Sequence, residues 1–190
     1  WRVLSSSPRR AYNLENSLVD YLPSRPHLRF FPLRGNIPSR LRKLLDSGFG
    51  SDSDSNNADA LILAKAALDR LLEASEPEFA ERQKEIREIL KSLHWCVLPL
   101  SLSPGAAAQG AIAIEVLKSR KDLLDLLSEI NCKDTFQTVV NEREVLTRWG
   151  GGCQQKIGIS LLKRPFGIVQ FLRGQTESGE ILNHHSLRDQ

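Results

Sequence analysis

The sequence predicts two architectures in one chain: an α/β domain, with a parallel-type sheet and flanking helices, then a small α+β domain with a three-stranded antiparallel sheet. Three observations carry this expectation. Over residues 8–72 helical and strand-like patterns alternate, the order that lays strands parallel because each must be reached by a crossover. Beyond about residue 118 two helical patterns run in succession and three strand-like runs follow at turn spacing. The length, 190 residues of which 41% are hydrophobic and 26% charged, suffices for one ordinary core or two small ones.

The first helix is predicted over residues 8–22. Ser7 can cap it, Pro8 costs nothing in a first turn whose N–H groups lack intrahelical partners, and Leu14, Leu18 and Tyr21 recur at helical spacing. Residues 28–33 form a short apolar run ended by Arg34-Gly35-Asn36, a buried strand entering a turn. Pro38 opens a second helix through Leu41, Leu44 and Leu45. Residues 47–57, mostly Ser, Asp, Gly and Asn, hold too little apolar surface to order themselves and are expected to form a mobile surface loop. Residues 58–63 read as a buried strand and 64–72 as a third helix. Ser75-Glu76-Pro77-Glu78 has the form of a capping box, and Phe79, Ile86, Ile89, Leu90 and Leu93 share a helical face, so a charged helix is expected there, covering an edge of the sheet. After a small-residue stretch at 104–108, residues 110–114 fit a further strand. From Ser119 follow helices to Asn131 and over 135–149, a turn at 150–153, and strands at 157–162, 166–172 and 180–184. The domain boundary is placed near residue 118.

Charge is unevenly spread. The whole chain carries +3, yet residues 1–43 hold nine bases against two acids, a net of +7, leaving 17 bases against 21 acids and a net of -4. Such asymmetry points to an anionic partner for the first third. Mean hydropathy is -0.29, and no run reaches the ~18 apolar residues of a membrane span. Three cysteines, Cys96, Cys132 and Cys153, fit neither a zinc site nor a disulfide framework, so reduced thiols in a cytoplasmic protein are expected. The four histidines show no partner spacing, and no metal site is expected. There is no Met, so Trp1 is not a translation start and the chain is expected to be a fragment.

Both early helices begin just after an extended segment and carry arginines in or beside the first turn, where unpaired N–H groups and the positive dipole end favour anions. Arg9 and Arg10 flank one such end; Arg34 and Arg40 flank the other. Ligand crevices of open α/β sheets lie at the carboxyl ends of the strands. Eight of the nine bases are Arg, whose planar fork meets a carboxylate or phosphate at two points. A ligand bearing several planar anionic groups would use them. A solvated charged face is the plainer reading, and it suits Arg2, Arg25, Arg29 and Lys43. Nucleic acid fits less well, since no binding motif is present and Tyr12, Tyr21, Phe30 and Phe31 sit at core positions. Cys153, after Gly150-Gly151-Gly152, is either an exposed reactive thiol or a small buried hydrophobe, and the spacing leaves both open.

Ser5-Ser6-Ser7-Pro8-Arg9-Arg10, then Leu33-Arg34-Gly35-Asn36-Ile37-Pro38-Ser39-Arg40-Leu41, and Glu142-Arg143 with Gly150-Gly151-Gly152-Cys153-Gln154 together resemble the hydroxymethylbilane synthase family, also called the porphobilinogen deaminases. Residues 58–64, 68–71 and 109–112 match in support, and order and spacing cover most of residues 5–160. The resemblance implies three domains, two of periplasmic-binding-protein type around a cleft and a third bearing a cofactor cysteine. Residues 1–98 would be the second domain, 99–118 a segment returning to the first, and 119–190 the third, cofactor-attachment domain. The front of the first domain, with the family's catalytic aspartate in a His-Ser-x-Lys-Asp motif, is missing from this sequence. No catalytic residue is therefore assigned, and the fragment alone is expected to be inactive.

The implied activity is a transferase reaction of porphyrin and heme biosynthesis, in which four porphobilinogen molecules condense head to tail, releasing ammonia, to give the linear tetrapyrrole hydroxymethylbilane. The implied cofactor is a dipyrromethane joined by a thioether to the cysteine that matches Cys153. Every ring added brings two carboxylates. Arg9, Arg10, Arg34 and Arg40 match family arginines that neutralise them on cofactor and substrate, with Ser6 and Ser7 adding hydrogen bonds and Arg70 a further substrate contact. A monomer acting on a small molecule is expected, with neither nucleic acid nor membrane as partner. Ala106-Ala107-Ala108-Gln109 departs from a Pro-Ala-x-Gly-Gln type of turn, Lys156 stands where Pro is common, Ala67 replaces a usual Gly, and residues 47–57 and 75–93 look like insertions. The alternative is a non-catalytic anion-binding module of periplasmic-binding type.

Overall fold

In the computed structural model, which describes residues 1–47, 57–150 and 155–189, the chain begins with a strand rather than a helix. β1 (Arg2–Leu4) is the middle strand of a parallel sheet, between β2 (Arg29–Phe31) and β3 (Ala60–Leu61). Val3 lies opposite Phe30 and Ala60, and Leu4 opposite Phe31 and Leu61. Three residues with a single buried side chain give no readable period, so the order predicted from residue 8 onward lacked its central strand.

α1 (Pro8–Glu15) starts as expected, with the Ser7 hydroxyl accepting from the Arg10 N–H at 3.4 Å. It stops seven residues short of the predicted Leu22 and gives way to a 3-10 turn, Leu18–Tyr21. The cause is local: the Asn16 side chain donates to the Tyr12 carbonyl and the Ser17 hydroxyl to that of Asn13, so polar side chains compete with the helix for its own acceptors. α2 (Ile37–Asp46) is capped by Asn36, whose side chain accepts from the Ser39 N–H at 3.0 Å. Gly35 precedes it at φ +121°, where a Cβ would run into the Ser39 hydroxyl.

α3 (Lys65–Glu73) follows, then a 3-10 turn at Pro77–Phe79 and α4 (Ala80–Lys91). Rather than covering a sheet edge, α4 packs Ile86 and Ile89 against Leu41 of α2, with Leu68, Leu71 and Leu72 of α3 around them. A two-residue β3 offers too little edge to cover, whereas an apolar stripe finds a matching one on another helix. The predicted polar loop lies outside the described residues over 48–56.

The chain divides into two compact units, Trp1–Leu102 and Ser103–Gln190. That division precedes the change of sequence texture near residue 118, because residues 105–108 bond within the second unit. The Ile159 N–H donates to the Gly105 carbonyl at 2.8 Å, the Gly105 N–H to the Ser160 hydroxyl at 2.9 Å, and the Ala108 N–H to Glu142 at 2.8 Å. The second unit contains α5 (Lys121–Ile130), α6 (Lys133–Arg148) and the meander β4 (Gly158–Arg164), β5 (Gly167–Gln175) and β6 (Ile181–Arg188). Its core joins Val145 of α6 to Ile157, Ile159, Leu172 and Leu182, with Leu146 and Trp149 packed alongside. At Gly174, φ +149°, the backbone of Lys156 and Ile157 comes too near for any side chain. The predicted strand at 110–114 is not one: those residues form no ladder and Ile112 is 87% exposed, since an alternating apolar run without a neighbouring strand has nothing to pair with. The fold class is thus a mixed α/β one, with a parallel and an antiparallel three-stranded sheet. Among the described residues no helix is long and apolar enough to cross a membrane.

Candidate functional site

Parallel strands deliver their carboxyl ends to one side, and here that side opens into a cleft of about 230 Å³. Leu4 and Leu61, the last residues of β1 and β3, and the following Ile62 and Leu33 give it an apolar lining. Ser5, Ser6 and Ser7 form the turn from β1 into α1 along its rim, and Arg10 and Arg40 supply its charge. No carboxylate lines it among the described residues. The positive ends of α1 and α2 add to the same sign.

The local order is set by short bonds. The Ser5 N–H extends the β1–β2 ladder to the Phe31 carbonyl at 2.9 Å. The Ser6 hydroxyl then accepts from the Leu33 N–H and donates to the Leu33 carbonyl, both at 2.7 Å. Arg40 is anchored through Nε to the Gly35 carbonyl at 2.6 Å. Burial, and then the neighbouring Arg40 charge, hold the Arg10 guanidinium below its ordinary pKa. Arg9 is only 7% exposed, and burial, followed by repulsion from Arg10, pulls its guanidinium down to about 10. Three positive groups crowded and partly stripped of water are arranged to gain from an incoming anion.

Of the residues singled out from sequence, Ser6, Ser7, Arg10 and Arg40 come together on this cleft. Arg9 is not among the cleft walls; it is buried on α1, one turn before the buried Asn13. Arg34 is exposed, with its carbonyl accepting from Lys43 Nζ at 3.1 Å. Arg70, exposed on α3, is not among the cleft walls. Cys153 lies outside the described residues. Ser5 and the apolar lining from Leu4, Leu61 and Ile62 were not singled out. Their signal was the carboxyl end of a strand, and β1 itself had gone unread.

This arrangement can hold an anion of more than one planar acid group beside an apolar surface. Among the described residues that line the cleft there is no His, Cys or carboxylate to act as acid, base or strong nucleophile.

Comparison with known proteins agrees with this chemistry. The family described as porphobilinogen deaminase, dipyromethane cofactor binding domain, matches residues 1–125. A porphobilinogen deaminase of Lawsonia intracellularis is 38% identical over 136 residues, 72% of this chain and 36% of the relative. One of Prochlorococcus marinus (strain MIT 9303) is 33% identical over 135 residues, 71% of this chain and 34% of the relative. One of Lachnospira eligens is 31% identical over 160 residues, 83% of this chain and 46% of the relative. The chain thus spans roughly a third to just under half the length of these curated relatives.

Proposed function

The chain belongs to the porphobilinogen deaminase family, and from that premise we propose that it forms the anion-holding part of a hydroxymethylbilane synthase. That transferase joins four porphobilinogen molecules head to tail, with loss of ammonia, on the way to porphyrins and heme. The single observation that carries the proposal is the presence of Arg10 and Arg40 together in the lining of a cleft at the carboxyl ends of parallel strands, with no carboxylate in that lining among the described residues.

The residues present suit a dipyrromethane with its acetate and propionate arms. Two guanidinium forks meet planar acids, the hydroxyls of Ser5 and Ser7 and the start of α1 donate hydrogen bonds, and the leucine and isoleucine lining accepts a flat apolar ring. When bound, through a thioether to Cys153, that group supplies the pyrrole carbon to which porphobilinogen is joined. Arg10 and Arg40 orient the acid arms and offset their charge as the chain of rings grows. Buried Arg9 adds a third positive charge beside Arg10 in a poorly solvated place, Arg34 binds cofactor and substrate, and Arg70 binds substrate. No group of this chain is assigned the proton transfers.

In this reading residues 1–98 are the second of two periplasmic-binding-type domains. Residues 99–118 return toward the first of them, and 119–190 make the cofactor-attachment domain. The protein works as a cytoplasmic monomer.

Mass spectrometry of the purified protein tests the proposal. The expected result is an added mass of two pyrrole rings on Cys153 that is absent from Cys153→Ala, and a bare thiol in active protein would overturn it. In parallel, Arg10→Lys or Arg40→Lys should weaken porphobilinogen binding about tenfold or more, because charge is kept while the two-point fork is lost.

A further inference from the structure

We propose that Ser6 is a positioning residue of the cleft: its hydroxyl adds one more rung to the parallel sheet, on Leu33, and thereby holds the two arginine-bearing helix starts in a fixed relation. The proposal rests on the reading of this cleft as the site of a polycarboxylate and names what keeps it in shape. The β1–β2 ladder runs from the Arg29 N–H on the Trp1 carbonyl, 2.8 Å, to the Ser5 N–H on the Phe31 carbonyl, 2.9 Å. The next donor in the alternation is the Leu33 N–H, and it goes to the Ser6 hydroxyl, while from Ser7 onward the backbone turns into α1. The Ser6 side chain takes over, meeting both the N–H and the carbonyl of Leu33 at 2.7 Å. Leu33 is 7% exposed, so without Ser6 its two main-chain groups would be left in a poorly hydrated place.

What that rung joins gives it its importance. Ser6 is followed directly by the Ser7 cap of α1, which carries Arg10. Leu33 is followed directly by Arg34, Gly35 and the Asn36 cap of α2, which carries Arg40. Arg40 is also tied through Nε to the Gly35 carbonyl at 2.6 Å, so a shift of the Leu33–Gly35 segment carries the Arg40 fork with it. The charge of Arg40 already acts on Arg10 within the cleft. A hydroxyl that keeps both hydrogen-bonding directions on Leu33 is thus committed to the protein, and its effect on a ligand passes through the arginines.

The test combines ligand-free and ligand-bound measurements on the full 190-residue chain. Without ligand, Ser6→Ala should speed amide exchange at Leu33 by about tenfold or more and move the NMR signals of both the Arg10 and Arg40 Nε–H groups, with Ser6→Thr returning all three. Arginine signals that stay in place in Ser6→Ala would overturn the proposal. With porphobilinogen as the probe, Ser6→Ala should bind about tenfold more weakly and Ser6→Thr as the unsubstituted chain does. Weaker binding with Leu33 exchange unchanged would mean that the hydroxyl touches the ligand directly, which also overturns it. Should Ser6→Ala fail to fold, the unsubstituted chain decides: the Leu33 amide must stay protected when porphobilinogen binds, and loss of that protection refutes the rung. If porphobilinogen does not bind the unsubstituted chain, the site reading falls, while the exchange and arginine signals of the variants still judge Ser6.

Discussion

Arg9 shows how one residue's role depends on depth. Its neighbour Arg10 lines the cleft while Arg9, one position away on the helix, is buried with its pKa drawn down to about 10 by burial and then by Arg10. The folded chain begins to release that proton near pH 10, before the unfolded chain does. Stability from this group is therefore flat below that pH and rises with pH above it, by up to about 1.4 kcal/mol per pH unit. Urea midpoints of the chain and of Arg9→Gln at pH 9 and 11 should diverge in that sense; parallel pH curves would show that the buried charge is not the cause. Ala108 carries the other residue-scale prediction. It sits at φ +65°, its N–H held by Glu142, whose other oxygen takes the Leu161 N–H at 3.0 Å. A left-handed alanine is strained by ~1–2 kcal/mol and glycine loses part of that in entropy, so Ala108→Gly should raise stability by up to about 1 kcal/mol. A lowered urea midpoint would contradict it. The arginines at helix starts were legible as a group from sequence, but which of them meet on one cleft was not, since adjacent helical positions face about 100° apart.

At the scale of elements, local chemistry wrote most of what could be read. The Ser7 cap, and proline just inside both α1 and α2, appear where the sequence placed them, while the Asn36 cap of α2 was read only as part of a turn. Asn36→Ala should cost about 1 kcal/mol by removing the acceptor for the Ser39 N–H. Thermal unfolding measures that cost, and an unchanged midpoint would show that α2 is held by the packing of Leu41 and Leu44 alone. The three elements misread share one reason. β1 is too short to show a period, residues 110–114 have a strand's composition without a strand beside them, and α4 has an apolar stripe that says what it needs but not which surface supplies it. Strand formation and helix docking depend on a partner distant in sequence, which a local pattern does not name.

For the whole molecule, the sequence by itself determined the succession of an α/β unit and an α+β unit, the concentration of positive charge in the first third, and membership in a family whose first two motifs supply the serines and arginines of the cleft. These follow from composition, periodicity and short motifs, each readable within a few neighbouring residues. Only the tertiary structure decided that β1 is the central strand, that Arg10 and Arg40 share a cleft while Arg9 is buried beside them on α1, and that Gly105 and Ala108 bond with β4 and α6. Each of those outcomes is a choice among long-range pairings. Such pairings are selected by how much buried hydrogen bonding and apolar contact the whole arrangement satisfies at once, a quantity that no single stretch of the chain contains.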